Sequence, residues 1–103
     1  VMLDADERYA TERADAEHEA DDIERLMSAR ALSALVVYDA AEAADDCIRE
    51  QWTKTAPGTV WVTSVATDAL RDRGYRVTSR KGEHRRNTYV PRHWTITRNE
   101  PTL

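Results

Sequence analysis

Apolar residues recur along the first half of the chain with helical spacing. Ile23, Met27, Arg30, Ala34, Val37, Ala41, Ala44 and Ile48 step by four, three, four, three, four, three and four positions. This is the repeat of about 3.5 residues that marks a bundle or coiled-coil seam, with Arg30 its one polar member. Leu26, Leu35, Tyr38 and Trp52 widen the stripe. Residues 4–53 hold twelve alanines with many Glu and Arg residues, all good helix formers, and neither Gly nor Pro. Asp21 with Glu24 and Asp39 with Glu42 have capping-box spacing. The pattern predicts a core helix over 23–53, preceded over 1–22 by a solvated acidic helix or arm in which acids surround Leu3, Tyr9 and small alanines. A break near Ser28 or Ser33 would turn this into a helical hairpin. A rival reading starts from Val36-Val37-Tyr38, which is β-prone. It makes 34–38 a strand, with Asp39 capping a new helix over 40–53. The unbroken spacing favours the helix.

Ala56-Pro57-Gly58 ends the helical half. Residues 59–63 alternate as a short strand. Ser64 is placed to cap a helix over roughly 65–73, and Gly74 falls where a left-handed residue closes a helix, after Arg71 and Arg73. In 75–80, Tyr75, Val77 and Ser79 share one face, and Arg76, Thr78 and Arg80 the other. A basic tip over 81–87 leads into a returning strand over 88–98, with Val90, Trp94 and Ile96 in phase on the core side. Pro91, which has no N–H to give a ladder, suits an edge or a bulge. Residues 99–103 read as a tail. The expected fold is α+β: a long N-terminal helix on a small antiparallel sheet with one short helix. A chain of 103 residues reads as a single domain over 1–103.

Charge adds a second division at the same place. Residues 1–53 carry 15 acids against 5 Arg, and residues 54–103 carry 4 acids against 10 Lys and Arg, within a net charge of −4. The helix, strand, basic tip and strand of the C-terminal half together resemble a winged-helix arrangement. Arg71, Arg73, Arg76, Arg80, Lys81, Arg85, Arg86 and Arg92 would then form a surface for nucleic acid or an acidic partner, because guanidinium groups bind phosphate and carboxylate through fixed pairs of donors. Edge strands also carry such residues simply to stay soluble.

Catalysis finds little footing. His18, His84 and His93 lie far apart, and only His18 with Asp22 has helical i, i+4 spacing. Glu42, Asp45 and Asp46 approach Lys54 without a nuclease pattern. Three scattered glycines make no phosphate loop. The single Cys47 excludes a disulfide framework within the chain and reads as a small packed side chain. No metal or cofactor is expected. No apolar run approaches a membrane span, and the acidic start does not read as a secretion signal. Cytoplasm or virion is the expected setting. Much Ala, Asp, Thr and Arg with only two Lys suggests a GC-rich genome, bacterial or viral.

A helix over 4–53 would be roughly 75 Å long, more than a small sheet can cover. The seam residues Ile23, Met27, Ala34, Val37, Ala41, Ala44, Ile48 and Trp52 are therefore candidates for the core or for an oligomer contact. The resulting expectation is a non-enzymatic assembly or adaptor protein, such as a small phage virion component. Its acidic helix and basic hairpin would contact different neighbours, in a homo-oligomer or larger assembly. The alternative is a small DNA-binding regulator, with the hairpin as reading head and the helix as dimeriser.

Overall fold

A computed structural model describes the backbone over residues 5–98, and side chains from residue 10 onward. Leu3, the side chain of Tyr9 and the expected tail over 99–103 lie outside the described residues. The elements are α1 (Ala5–Ala29), β1 (Ala34–Asp39), one turn of 3-10 helix (Glu42–Ala44), α2 (Asp46–Thr55), β2 (Trp61–Val62), α3 (Ser64–Asp72), β3 (Arg76–Arg80), β4 (Glu83–Arg85), β5 (Thr88–Val90) and β6 (His93–Thr97). The fold is α+β, as the pattern predicted. The four-stranded sheet runs β2-β1-β6-β3, and β4 with β5 forms a separate hairpin. The sheet is mixed rather than antiparallel: β1 pairs with β2 in parallel and with β6 antiparallel, and β6 pairs antiparallel with β3.

The expected core helix over 23–53 is not present as one element. The helix stops at Ala29, and 34–38 belong to the central strand β1. The stop is a Schellman motif: the Ala31 N–H donates to Ser28 O at 3.2 Å, and the Leu32 N–H to Met27 O at 2.8 Å. Ala31 adopts φ +52, the left-handed conformation usually given to Gly. The helix α3 ends in the same way with the ordinary residue. The Gly74 N–H donates to Arg71 O at 2.9 Å, the Tyr75 N–H to Leu70 O at 3.0 Å, and Gly74 has φ +93. One stop carries its signature residue and the other does not.

Caps also shift. Asp45, not Asp39, caps α2, accepting from the Cys47 and Ile48 N–H groups. Asp39 ends β1 and accepts from the Ala41 N–H at 2.9 Å. Thr63, one residue before the expected Ser64, caps α3. Asp21 lies inside α1. The return over 88–98 is two strands, broken at Pro91-Arg92, and 83–85 within the tip is a strand of its own. Of the three in-phase residues, Trp94 and Ile96 are core, while Val90 is half-buried in the hairpin.

One face of the sheet carries the core. Val37, Val62, Trp94 and Ile96 meet Ala16, Ala20, Ile23 and Met27 of α1 and Ala66, Ala69 and Leu70 of α3. Val77 and Tyr75 pack against the same cluster, as their predicted phase requires. The early part of α1 is thus not solvated all round. Ala16 and Ala20 are buried, 1% and 0% exposed, and with Ala66 and Ala69 they let α1 and α3 approach closely. Of the seam, Ile23, Met27, Val37 and Trp52 are buried, Ile48 is half-buried, and Ala34, Ala41 and Ala44 are exposed. A single helical face cannot hold them, because they fall on α1, β1, the 3-10 turn and α2.

The two helix stops give a reciprocal expectation. Ala31→Gly relieves a left-handed alanine, about 1–2 kcal/mol, against about 0.4–1 kcal/mol of added unfolded-state entropy. It should stabilise the fold by about 0.5–1 kcal/mol in urea denaturation. Gly74→Ala, where an added Cβ would meet nothing within 4 Å, should destabilise by a similar amount. If both shifts have the same sign, the two stops are not equivalent.

Candidate functional site: a basic face on the open side of the sheet

Alternation along the strands decides what the second face of the sheet presents. Where Leu35 and Val37 turn to the core, Val36 is 42% exposed. The register aligns three rows on this second face: Trp61, Tyr38, His93 and Arg80; Val36, Thr95 and Thr78; and Ala34, Thr97 and Arg76. The first row is aromatic until it reaches Arg80. Tyr38 sits at its centre, with ring centroids 5.1 Å from Trp52, 5.9 Å from Trp61 and 5.3 Å from His93. Through Trp52, α2 covers this end of the face. Burial pushes the Tyr38 hydroxyl pKa up. The Trp52 indole N–H is buried with no hydrogen-bond partner among the described residues. His93 Nδ1 lies 3.0 Å from Pro91 O. Beyond the cover of α2, the face is open.

The eight basic residues expected to act together divide into two groups. Arg71 pairs with Asp68 at 2.9 Å, and Arg85 with Glu83 at 2.6 Å. Arg73 is drawn wholly into the chain's own structure. Its guanidinium binds Glu17, Asp21 at 2.8 Å and Glu24 at 3.1 Å, all on α1. Arg92 lies over the Trp94 ring, 5.3 Å from its centroid. Arg76, Arg80, Lys81 and Arg86 are exposed and have no ion-pair partner among the described residues. Arg76 and Arg80 stand on the open face, and Lys81 and Arg86 on the hairpin segment beside it.

The hairpin is anchored rather than loose. The Tyr89 hydroxyl lies so close over Gly82 that a Cβ there would come within 2.2 Å of it. Tyr89 also stacks with His84 at 5.0 Å, and desolvation together with Glu42 raises its pKa. Arg86, at the turn, has φ +54.

The opposite side of the molecule is acidic. A cleft of about 820 Å³ opens at the C-terminal ends of β1 and β2, lined by Glu12, Asp15 and Glu19 of α1 with Asp39, Thr63 and Arg92 among others. Such strand ends are where open α/β sheets commonly bind ligands. Here the Thr63 hydroxyl donates to Glu19 at 2.7 Å, which places a carboxylate at the N-terminus of α3. The cleft suits cationic groups. No cluster of metal-ligand type occurs among the described residues. His18 and Cys47 are exposed, so the packed reading of Cys47 does not hold. Its position is early in α2, on a solvent-facing turn.

The likeness to a winged helix covers the order helix, strand, hairpin, strand and stops there. β2, not a helix, precedes α3, and α3 buries Ala66, Thr67, Ala69 and Leu70. Its exposed side holds Asp68, Arg71 and Asp72, with Asp72 bridged to Arg13 at 2.7 Å. The eight expected basic residues include the four unpaired ones, but sequence reasoning grouped them with Arg71, Arg73, Arg85 and Arg92, which the fold engages, and missed the row of Trp61, Tyr38 and His93. That row exists only once β1 is a strand. No helix among the described residues is long and apolar enough to cross a membrane. Comparison with protein families, with curated proteins and with solved structures found no match to this chain.

The bridge between α1 and α3 has a pH signature. The hydrogen bond from Arg73, then the charges of Arg73 and Arg13, hold the Glu17 carboxyl below its usual value, with desolvation opposing. A lowered folded-state pKa stabilises the fold above the ordinary glutamate value of 4.5 and loses that effect as pH falls through the lowered value. Thermal melts of Arg73→Gln should therefore lie below the wild type at neutral pH. The gap should narrow on acidification below 4.5. A gap independent of pH would mean that Arg73 acts through packing alone.

Proposed function

We propose that this protein is a non-enzymatic adaptor joining two partners of opposite charge. The anionic partner meets the open sheet face and its hairpin, and the cationic partner meets the acidic surface of α1. The observation that carries this reading is the sorting of charge across the sheet. Arg76, Arg80, Lys81 and Arg86, exposed and without an ion-pair partner among the described residues, gather on the open face and hairpin. Carboxylates of α1 line the cleft on the helical side. A connector of this kind suits a small component of a larger assembly, a virion among them. Part of the charge of α1 and α3 is already neutralised inside the chain, through Arg73 and Arg13. What remains for partners is the part left unpaired. A duplex-DNA regulator with the hairpin as reading head draws less support, because α3, the helix such an arrangement would set in the groove, exposes Asp68 and Asp72.

The test uses polyelectrolyte probes and two sets of variants. Labelled dextran sulfate should bind the full chain, more weakly as salt rises. Combined Arg76→Ala, Arg80→Ala and Arg86→Ala should abolish that binding, while Arg49→Ala, which breaks an exposed pair with Asp46, should leave it unchanged. Labelled polylysine should bind as well, and lose binding to Glu12→Gln with Asp15→Asn. Equal probe binding by wild type and both variant sets would overturn the adaptor reading.

A further inference from the structure

The open face offers more than charge. A polyanion bound through charge alone needs only the arginines, yet here they frame a surface of rings, hydroxyls and methyl groups. Along β3, Arg76, Thr78 and Arg80 project from the same face at the strand's two-residue spacing, about 6.6–6.8 Å apart. Across the sheet from them lie Thr97, Thr95 and His93, and beyond these Ala34, Val36 and Tyr38. Each row therefore runs from a charged or hydroxyl edge at β3 to an apolar or aromatic interior at β1.

We propose that this face binds a single-stranded nucleic acid. Arg76 and Arg80, four residues and about 13 Å apart along β3, contact two phosphates of the nucleic-acid strand, and the half-buried ring of His93, paired with Arg80, takes a base. The inference rests on the adaptor reading, and names the chemistry of its anionic partner. Three features select a single strand. First, a duplex hides its base faces, so a half-buried ring on a sheet gains nothing from it, whereas an unstacked base stacks on such a ring whatever its identity. Second, the surface has no projecting helix to enter a groove: α2 covers the Tyr38 end, and α1 and α3 lie on the other side of the sheet. Third, Lys81 and Arg86 continue the positive track past Arg80 onto a hairpin that Tyr89 holds in place against Gly82. An acidic peptide would satisfy the guanidinium groups but leave Val36 and His93 without matching contacts. The acidic α1, on the far side of the sheet, does not line this track.

The test measures anisotropy of a labelled short oligothymidylate against the full chain, beside a duplex of the same length and a polyglutamate peptide. Oligothymidylate should bind most tightly of the three. The log–log slope against salt should fall by about 1.4 on Arg76→Ala with Arg80→Ala, two phosphate contacts at about 0.7 each. His93→Ala should weaken binding at least about fivefold, as loss of one stacking contact does. His93→Phe, which keeps a ring, should retain most of the affinity. Melting curves of each variant establish that it is folded. Duplex bound as tightly as the single strand would overturn the inference, and so would oligothymidylate binding unaltered by the arginine or histidine changes. If polyglutamate binds through Arg76 and Arg80 while oligothymidylate does not, the inference fails and the adaptor reading stands. If no polyanion binds at all, both fail.

Discussion

The structure depends on where the first helix ends. Ala31 must accept a left-handed conformation so that Leu32 can turn back and the next residues can run as a strand. Had the helix continued, Val37 would have lain on a helical seam. Instead it is fully buried in the middle of a sheet, between Val62 and Trp94 and beneath α1 and α3. Every other strand of the four-stranded sheet takes its place from β1: β2 by parallel pairing, β6 by antiparallel pairing, and β3 through β6. A backbone strain of about 1–2 kcal/mol at one alanine is small beside the burial of the apolar face it makes possible.

The second ordering element is the contact between α1 and α3. Small residues on both helices bring them close, and the rim of that contact is ionic. Arg73 closes one end with three carboxylates of α1, and Arg13 reaches Asp72. These bridges draw two arginines and four acids, Glu17, Asp21, Glu24 and Asp72, into the fold. They leave the unpaired cations of β3 and the hairpin on the other side of the sheet. Part of the division of charge along the sequence has become a division across the sheet, with the carboxylates of α1 on one side and the unpaired arginines of β3 on the other.

Much of the C-terminal half was legible beforehand. Gly74 announced its helix stop, and the alternation of Tyr75 to Arg80 placed Val77 inside and Arg76 and Arg80 outside. Pro91 marked the break in the returning strand. The first half misled for a physical reason. Alanine-rich sequence carries strong helix propensity, and the stop at Ala31 lacks the glycine that usually signals it. The residues stepping by three and four from Ile23 to Ile48 fit a helical period by coincidence, because β1 supplies Val37 in phase. The aromatic row of the candidate site could not be read without that strand. Trp61, Tyr38 and His93 are far apart in the chain and meet only through sheet register.

A thin sheet with carboxylates on its helical side and unpaired guanidinium groups on its open side is an electric dipole whose axis crosses the sheet. In a field such a molecule turns before it touches anything. Near a polyanion it would arrive with the open face forward more often than chance allows, and near a polycation with α1 forward. Collisions in the wrong orientation would be repelled at distances up to the Debye length, about 8 Å at physiological ionic strength.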